Sequence, residues 1–542
     1  MTEATDRFVP KSESRFSAET LALGLLGLLI CFRLWYVTQL GLVGDEAYYW
    51  LWSKHLAASY TDKGPVIAWL ISAGTHVFGD TPFGIRWLGV LLSAATGWQI
   101  FRIAQRLFDD RIALWSLVVT CVIPIFGVGA LLMTIDTPSV FCWAWAVNVF
   151  WTALETGRTR HWFGLGLIIG LGFLAKFTNG VQLGCIVLFL LWSEQHRKYL
   201  FSRQIFALGG AFALCSLPVV WWNYSTGWLQ VAALHSRSGV KTSFGIHPMQ
   251  LVHFLGEQIG VLSPFIAIGM AVAAAGLLIS RHRDMRVRFL LCQFLPVYGL
   301  FCFFSLNSAG KGNWPVPGLI GGIILLVVYW RELVELRPGW RWAPRVALSL
   351  GVIMTVLLHV VNFVPIPMAN KLVNRSKGWP DFAEHIARAR DKYHTTLLIG
   401  DHYSTVSLAE FYLPDHPRGY QPTGWHPQFK LWGDYRLVPG TRALFVTYKM
   451  ADSRAKLRDP LPEEFANAKL VDDFWTQEDG RNIKRFQIYC LEAGDETQLL
   501  NRGFVKKENA DGNPVQKKAA VQKGQRLAAE FADGTVPVNA EE

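Results

Sequence analysis

The chain has 542 residues, 51% of them hydrophobic and only 17% charged, with 23 Trp and a formal net charge of +11. So small a charged share excludes an ordinary soluble domain, and apolar residues gather into blocks such as 22–32, 112–135 and 343–364, the longer of which reach the roughly 20 residues that span a bilayer as a helix. Lys and Arg lie in short links between these blocks, so the positive charge reads as a topology signal and not as a nucleic-acid surface.

The polar start, residues 1–18 with Arg7, Lys11 and Arg15, is expected to be a cytoplasmic tail before a retained first helix, because no small-residue cleavage site follows it. Apolar segments near 19–40, 83–107, 112–132, 138–155, 162–176, 180–193, 204–222, 250–279, 289–306, 315–331 and 345–364 predict about eleven transmembrane helices within 19–364. Basic clusters such as Arg102/Arg106/Arg111, Arg281/Arg283/Arg286/Arg288 and Arg331/Arg337/Arg341/Arg345 mark the cytoplasmic links. An odd number of spans then sends the C-terminal part to the outer face. Loop 44–82 carries Tyr48, Tyr49, Trp50, Trp52, Ile67 and Trp69 among polar residues, the pattern of interfacial helices, with Pro65 opening the second one.

Beyond residue 365 the composition changes. An amphipathic helix within 371–392, carrying Phe382 and Ile386, and short strands at 395–400 and 443–447 predict a small soluble α/β domain over 370–492, on the periplasmic side. Residues 493–542 lack hydrophobic periodicity and are expected to be disordered. The whole is an all-α polytopic membrane protein with a small C-terminal α/β domain.

The outer links collect the residues able to carry chemistry. Asp45 and Glu46 are adjacent in Gly44-Asp45-Glu46-Ala47-Tyr48-Tyr49-Trp50, and carboxylates at a membrane boundary are costly unless used. Asp45 is the leading catalytic candidate, as a base toward a hydroxyl or an orienting group; a helix cap is the structural alternative. Glu46 and Asp136, the latter in Met133-Thr134-Ile135-Asp136-Thr137-Pro138, are the other candidate acids. Tyr60, Asp62 and Lys63 follow in loop one, with Lys63 able to neutralise a phosphate or simply to snorkel. Lys176 ends a helix, Lys311 lies between two glycines, and Arg237 offers a bidentate phosphate contact. All cysteines but Cys490 fall in apolar segments, and neither they nor His55, His235 and His247 have metal-ligand spacing, so no metal or other cofactor is expected.

Asp45-Glu46-Ala47-Tyr48-Tyr49-Trp50, with Ser59-Tyr60-Thr61-Asp62-Lys63-Gly64-Pro65, resembles the bacterial relatives of protein O-mannosyltransferases and lipid A aminoarabinose transferase, in the GT-C superfamily of membrane glycosyltransferases. The resemblance continues through Phe78-Gly79-Asp80, Arg86, Asp136, Gly170–Lys176, Trp222-Asn223 and Asn313-Trp314-Pro315, and covers about 20–320. It implies a polyprenyl-phosphate-linked sugar donor, Asp45 as the loop-one aspartate, Asp136 as the second acid and Lys63 beside the donor phosphate. It further implies inverting transfer to a lipid, glycan or protein acceptor at the outer face of a bacterial inner membrane. In this chain Gly64 separates that lysine from Pro65, where many relatives have the proline directly. The competing expectation is a transporter or flippase for a polyprenyl-linked glycan; transporters commonly carry internal repeats and interrupted helices, and neither is evident in the sequence.

Overall fold

A computed structural model describes residues 17–237, 245–308, 310–364, 373–422, 426–435, 437–438, 440–451, 462, 465–478, 480–494, 526–531 and 534–539. Apart from Ser17 and Ala18, where the first helix begins, the cytoplasmic-tail expectation for 1–18 lies outside the described residues, as does most of that for 493–542; within the latter, β6 (Arg526–Phe531) and β7 (Gly534–Asn539) pair antiparallel.

The membrane part is helical: α1 (Ala18–Tyr36), α2 (Gly44–Lys54), α3 (Val66–Phe78), α4 (Pro82–Leu107), α5 (Asp110–Val122), α6 (Pro124–Gly129), α7 (Asp136–Thr156), α8 (Thr159–Ala175), α9 (Val181–Trp192), α10 (Arg203–Ser225), α11 (Leu229–Arg237), α12 (Pro248–Leu262), α13 (Pro264–Ser280), α14 (Met285–Ser305), α15 (Leu319–Leu336) and α16 (Trp342–Val360). Each of the eleven apolar segments coincides with helix. Two of them break at a proline, which cannot donate to the preceding turn: 112–132 divides at Pro124, and 250–279 divides between Ser263 and Pro264 with a bend of 111°. By length and hydropathy, four helical stretches among the described residues suffice to cross a membrane, Ala18–Gln39, Arg203–Ser225, Met285–Ser305 and Pro338–Val360, or five if the bent pair forms one span. Exposed Leu28, Ile268, Ile279 and Ile353 give these helices apolar outer faces, as lipid contact requires.

The helices have two chemically distinct ends. Asp136 opens α7, whereas Glu155 in its last turn pairs with Arg106 at 2.7 Å. Asn313 precedes α15, whereas Arg331 near the end of α15 pairs with Asp109. Arg281 reaches Glu332 at 3.2 Å, and the Arg286 guanidinium donates to the Leu107 carbonyl. The basic links thus converge at the end opposite Asp136.

The C-terminal part contains α17 (Trp379–Tyr393), β1 (Leu397–Gly400), α18 (Tyr403–Tyr412), β2 (Gly419–Tyr420), α19 (Pro427–Trp432), β3 (Arg442–Met450), β4 (Phe465–Glu478) and β5 (Arg481–Ala493). The sheet order is β2-β1-β3-β5-β4, with β1 parallel to β2 and β3 and the rest antiparallel. One apolar core joins this domain to loop one: Trp50, Trp52, Ile67 and Ile71 share it with Trp379, Phe382, Phe411, Phe429 and Phe486. Consequently α2 is no exposed interfacial helix. Residues 46–53 are all buried, because the domain packs on the face that membrane or water would otherwise meet.

Candidate functional site

Two helix starts and one helix end meet beneath the C-terminal domain. The cavity there, about 300 Å³, is lined by Asp45, Asp62 and Asp136, by Lys63, Lys176 and Lys311, and by Tyr48, Tyr49, Asn313, Trp314 and Tyr403 among others. Six of the nine residues singled out in the sequence therefore share one space. Among the described residues no group of three or more His, Cys, Asp or Glu is arranged to hold a metal ion.

Asp45 is exposed, in the first turn of α2, and is not that helix's cap. Tyr403, from α18, donates its hydroxyl to Asp45 Oδ1 at 3.0 Å. This approach needs Gly44: a Cβ there would lie 2.5 Å from that of Ser404. Asp136 is the first residue of α7, and its carboxylate serves other segments: Oδ1 accepts from Lys176 Nζ at 2.6 Å and Oδ2 from Asn313 Nδ2 at 2.7 Å. Lys176 closes α8, where its backbone amide donates to the Gly172 carbonyl, and the carbonyl dipoles of that end favour its charge. Burial first, then the carboxylates of Asp45 and Asp136, hold the Tyr49 phenol well above its ordinary range, so it stays a hydrogen-bond donor.

Loop one is fixed from two sides. Gln230 of α11 donates to the Tyr60 carbonyl at 2.6 Å and to Ser59 Oγ at 3.0 Å, and is itself held by Asn223 at 2.8 Å. The Thr61 amide donates to Gln428 of the C-terminal domain. Gly64 lies against the end of α8 so closely that a Cβ would sit 1.9 Å from the Leu174 carbonyl oxygen. The glycine that interrupts the lysine–proline pattern thus lets loop one close on α8, with Lys63 and Lys176 lining the same cavity.

Two residues expected among the reacting groups lie elsewhere. Glu46 does not line the cavity: successive helical residues diverge by about 100°, so Asp45 faces the cavity while Glu46 faces α4. It is 0% exposed and meets Arg86, 1% exposed, in a bidentate pair at 2.7 and 2.6 Å. Its remaining acceptor sites take the amides of Met133 and Val43. All five Arg86 donors are spent, the others on the carbonyls of Val37, Leu40 and Gly41. Tyr60 is also fully buried, stacked on Trp52 with centroids 4.2 Å apart, its hydroxyl donating to the Trp52 and His55 carbonyls. Arg237 ends α11, and its side chain lies outside the described residues.

Sequence reasoning missed Tyr403, whose contact is made across more than three hundred residues, and Arg33. The latter is 7% exposed within α1 and donates to Ser93 at 3.2 Å. A charged residue at that depth is itself a signal. Arg33 lines a second, mostly apolar cavity of about 220 Å³, with Leu26, Gly97, Ile125, Phe126 and Val140. Thr134, Asp136 and Asn313 line both cavities.

Residues 62–222 match the model of the dolichyl-phosphate-mannose-protein mannosyltransferase family. The chain is 26% identical over 404 residues to lipid A galacturonosyltransferase RgtD of Rhizobium johnstonii, covering 72% of this chain and 83% of that protein. It is 28% identical over 335 residues to the undecaprenyl phosphate-alpha-4-amino-4-deoxy-L-arabinose arabinosyl transferase of Pseudomonas aeruginosa, covering 55% of this chain and 58% of that one. Its fold is that of ArnT from Cupriavidus metallidurans, whose crystal structure bound to undecaprenyl phosphate superposes with a TM-score of 0.57 at 16% identity, over 86% of this chain and 97% of that one. The resemblance carried by the loop-one and helix-end motifs is met by these comparisons: part of the chain is similar in sequence to that mannosyltransferase family and to the two transferases, and its fold is that of ArnT.

Proposed function

We propose that this protein transfers a sugar from a polyprenyl-phosphate-linked donor to an envelope acceptor, with lipid A the favoured class because the relatives are transferases named for lipid A or for an undecaprenyl phosphate donor. One observation carries the proposal: a polar cavity of three carboxylates and three lysines shares Thr134, Asp136 and Asn313 as a common wall with an apolar cavity between helices. That is the division a phosphate with a prenyl tail requires. The tail occupies the apolar space and the sugar phosphate the polar one.

In this scheme the acceptor oxygen attacks the anomeric carbon as its bond to the phosphate oxygen breaks, with inversion, and negative charge grows on the leaving phosphate. Lys63 and Lys311 stabilise that charge from fixed positions, while Lys176, held by Asp136, supplies a third ammonium group. Asp45 takes the proton if the acceptor is a hydroxyl; if the acceptor is already an anionic phosphate, Asp45 orients it. Tyr403 fixes the carboxylate in either case. A flippase is not favoured, since a transported glycan needs neither an oriented carboxylate nor a reaction chamber closed by a second domain.

We further propose about eleven passes through a bacterial inner membrane within residues 19–364, a cytoplasmic N-terminus, a periplasmic domain at 370–492 and a separate tail at 493–542. The converging arginines support the basic end as cytoplasmic. Labelling a Lys469→Cys variant with an impermeant thiol reagent in intact cells tests this, because Lys469 is exposed on β4; protection of that cysteine until lysis overturns the orientation. The transfer itself is tested with Asp45→Asn, which is expected to fold normally and lose activity on a polyprenyl-phosphate sugar. Transfer at the unsubstituted rate removes Asp45 from the mechanism. Mass spectrometry of envelope lipids from a deletion strain identifies the sugar and the acceptor together.

A further inference from the structure

At the basic end, far from Asp136, the helices leave a groove that the transfer reaction does not use. It holds about 550 Å³ between α5, α15 and the start of α16, with Val119, Val327 and Trp330 along its walls and Arg111, Arg341 and Arg345 at its mouth. Arg331 and Glu335 also border it, but Arg331 is spent on Asp109 and Glu335. The side chains of Arg111, Arg341 and Arg345 make no hydrogen bond or ion pair with a described residue, and all three are exposed. Arg341 and Arg345 stand four residues apart at the opening of α16, so they share a face.

We propose that this groove binds an anionic phospholipid, its phosphate among the three guanidinium groups and its acyl chains against Val119, Val327 and Trp330. A topology signal needs only the number of positive charges in a link. It does not need them assembled from two distant links around an apolar-walled groove. Three exposed guanidinium groups bordering one groove give it a positive field that attracts an anion, and the guanidinium fork suits a phosphate diester. A nucleic acid or soluble phosphate has no use for the apolar walls, whereas a lipid buries its chains there. Basic pockets between membrane helices on the cytoplasmic side recognise lipid headgroups by this combination. The proposal stands apart from sugar transfer; orientation decides only the leaflet.

The test reconstitutes the full-length protein into phosphatidylcholine nanodiscs with and without phosphatidylglycerol and counts retained lipid by native mass spectrometry. Phosphatidylglycerol is expected to be retained in preference to phosphatidylcholine. Replacing Arg111, Arg341 and Arg345 together by Ala should weaken retention about a hundredfold, near fivefold for each charge removed at the membrane surface. The corresponding triple Lys variant keeps the charge and should stay within about tenfold of the unsubstituted protein. Should the triple Ala variant fail to fold, the three single Ala variants are each read against the fivefold expectation. Equal retention of both lipids, undiminished retention in the Ala variants, or displacement of the lipid by inorganic phosphate alone would each overturn the proposal.

Discussion

Glu46→Gln separates a residue that builds the site from one that acts in it. The substitution keeps shape and volume but leaves the Arg86 guanidinium, 1% exposed, without its anion. Removing one partner of a buried ion pair costs about 3–5 kcal/mol, because the surviving charge is left in a poorly polarisable interior. Here the amide nitrogen would also face donors from Arg86 and from the Val43 or Met133 amide. The loss should register as an earlier unfolding midpoint in detergent, followed by tryptophan fluorescence, with measurable transfer per folded molecule. Asp45→Asn should show the reverse, a midpoint near that of the unsubstituted protein and no transfer, since Asp45 is exposed and held by one hydroxyl. An unchanged midpoint in Glu46→Gln together with abolished transfer would refute the assignment and return Glu46 to the reacting groups.

Lys176→Met removes one preplaced positive charge from the cavity and is expected to slow transfer about 10²–10³-fold, the scale for one electrostatic stabiliser of a transition state; Lys176→Arg should recover part of it. Gly64→Ala forces loop one away from the Leu174 carbonyl and should destabilise by about 1–3 kcal/mol, as overpacking does, while lowering transfer although no charge has changed. A neutral result in a transfer assay would show that the placement of Lys63 does not depend on that approach. The pH dependence of stability should carry the mark of Glu410, whose carboxyl burial pushes up to about 8 from an ordinary 4.5. Between those values the folded state holds a proton that the unfolded chain has released. Stability is therefore fullest below 4.5 and falls as pH rises through about 8, by at most about 1.4 kcal/mol per pH unit. Glu410→Gln, which still accepts from the Gly419 amide, should flatten the unfolding midpoint over that window.

The parts legible in the sequence are those set by long apolar periodicity and by charge placed against it. Eleven apolar segments coincide with helices, and the acids and lysines between them on one side, Asp45, Asp62, Lys63, Asp136, Lys176 and Lys311, line a single cavity. What composition does not encode is the facing of adjacent residues. Asp45 and Glu46 are chemically similar neighbours, and only the helix phase separates them. Tyr60 went astray for a similar reason: a phenol is equally suited to a ligand and to a stack on Trp52. In the C-terminal domain the β4–β5 hairpin had a local signal, Asp479-Gly480 between alternating runs, and the register pairs Glu478 with Arg481 across it. Tyr403 had no local signal, since its contact with Asp45 exists only once the domain sits on α2.

That seating has a consequence for anyone recombining these proteins. The Tyr403 hydroxyl, the Gln428 amide and the Tyr412 oxygen each touch backbone or side chain of residues 42–61. The two regions behave as matched halves of a mould, although more than three hundred residues separate them. A chimera that exchanges the C-terminal half alone should misfit at Gly44, and a deletion that removes it would uncover the indoles of Trp50 and Trp52 to solvent. Successful hybrids should take both halves from one parent.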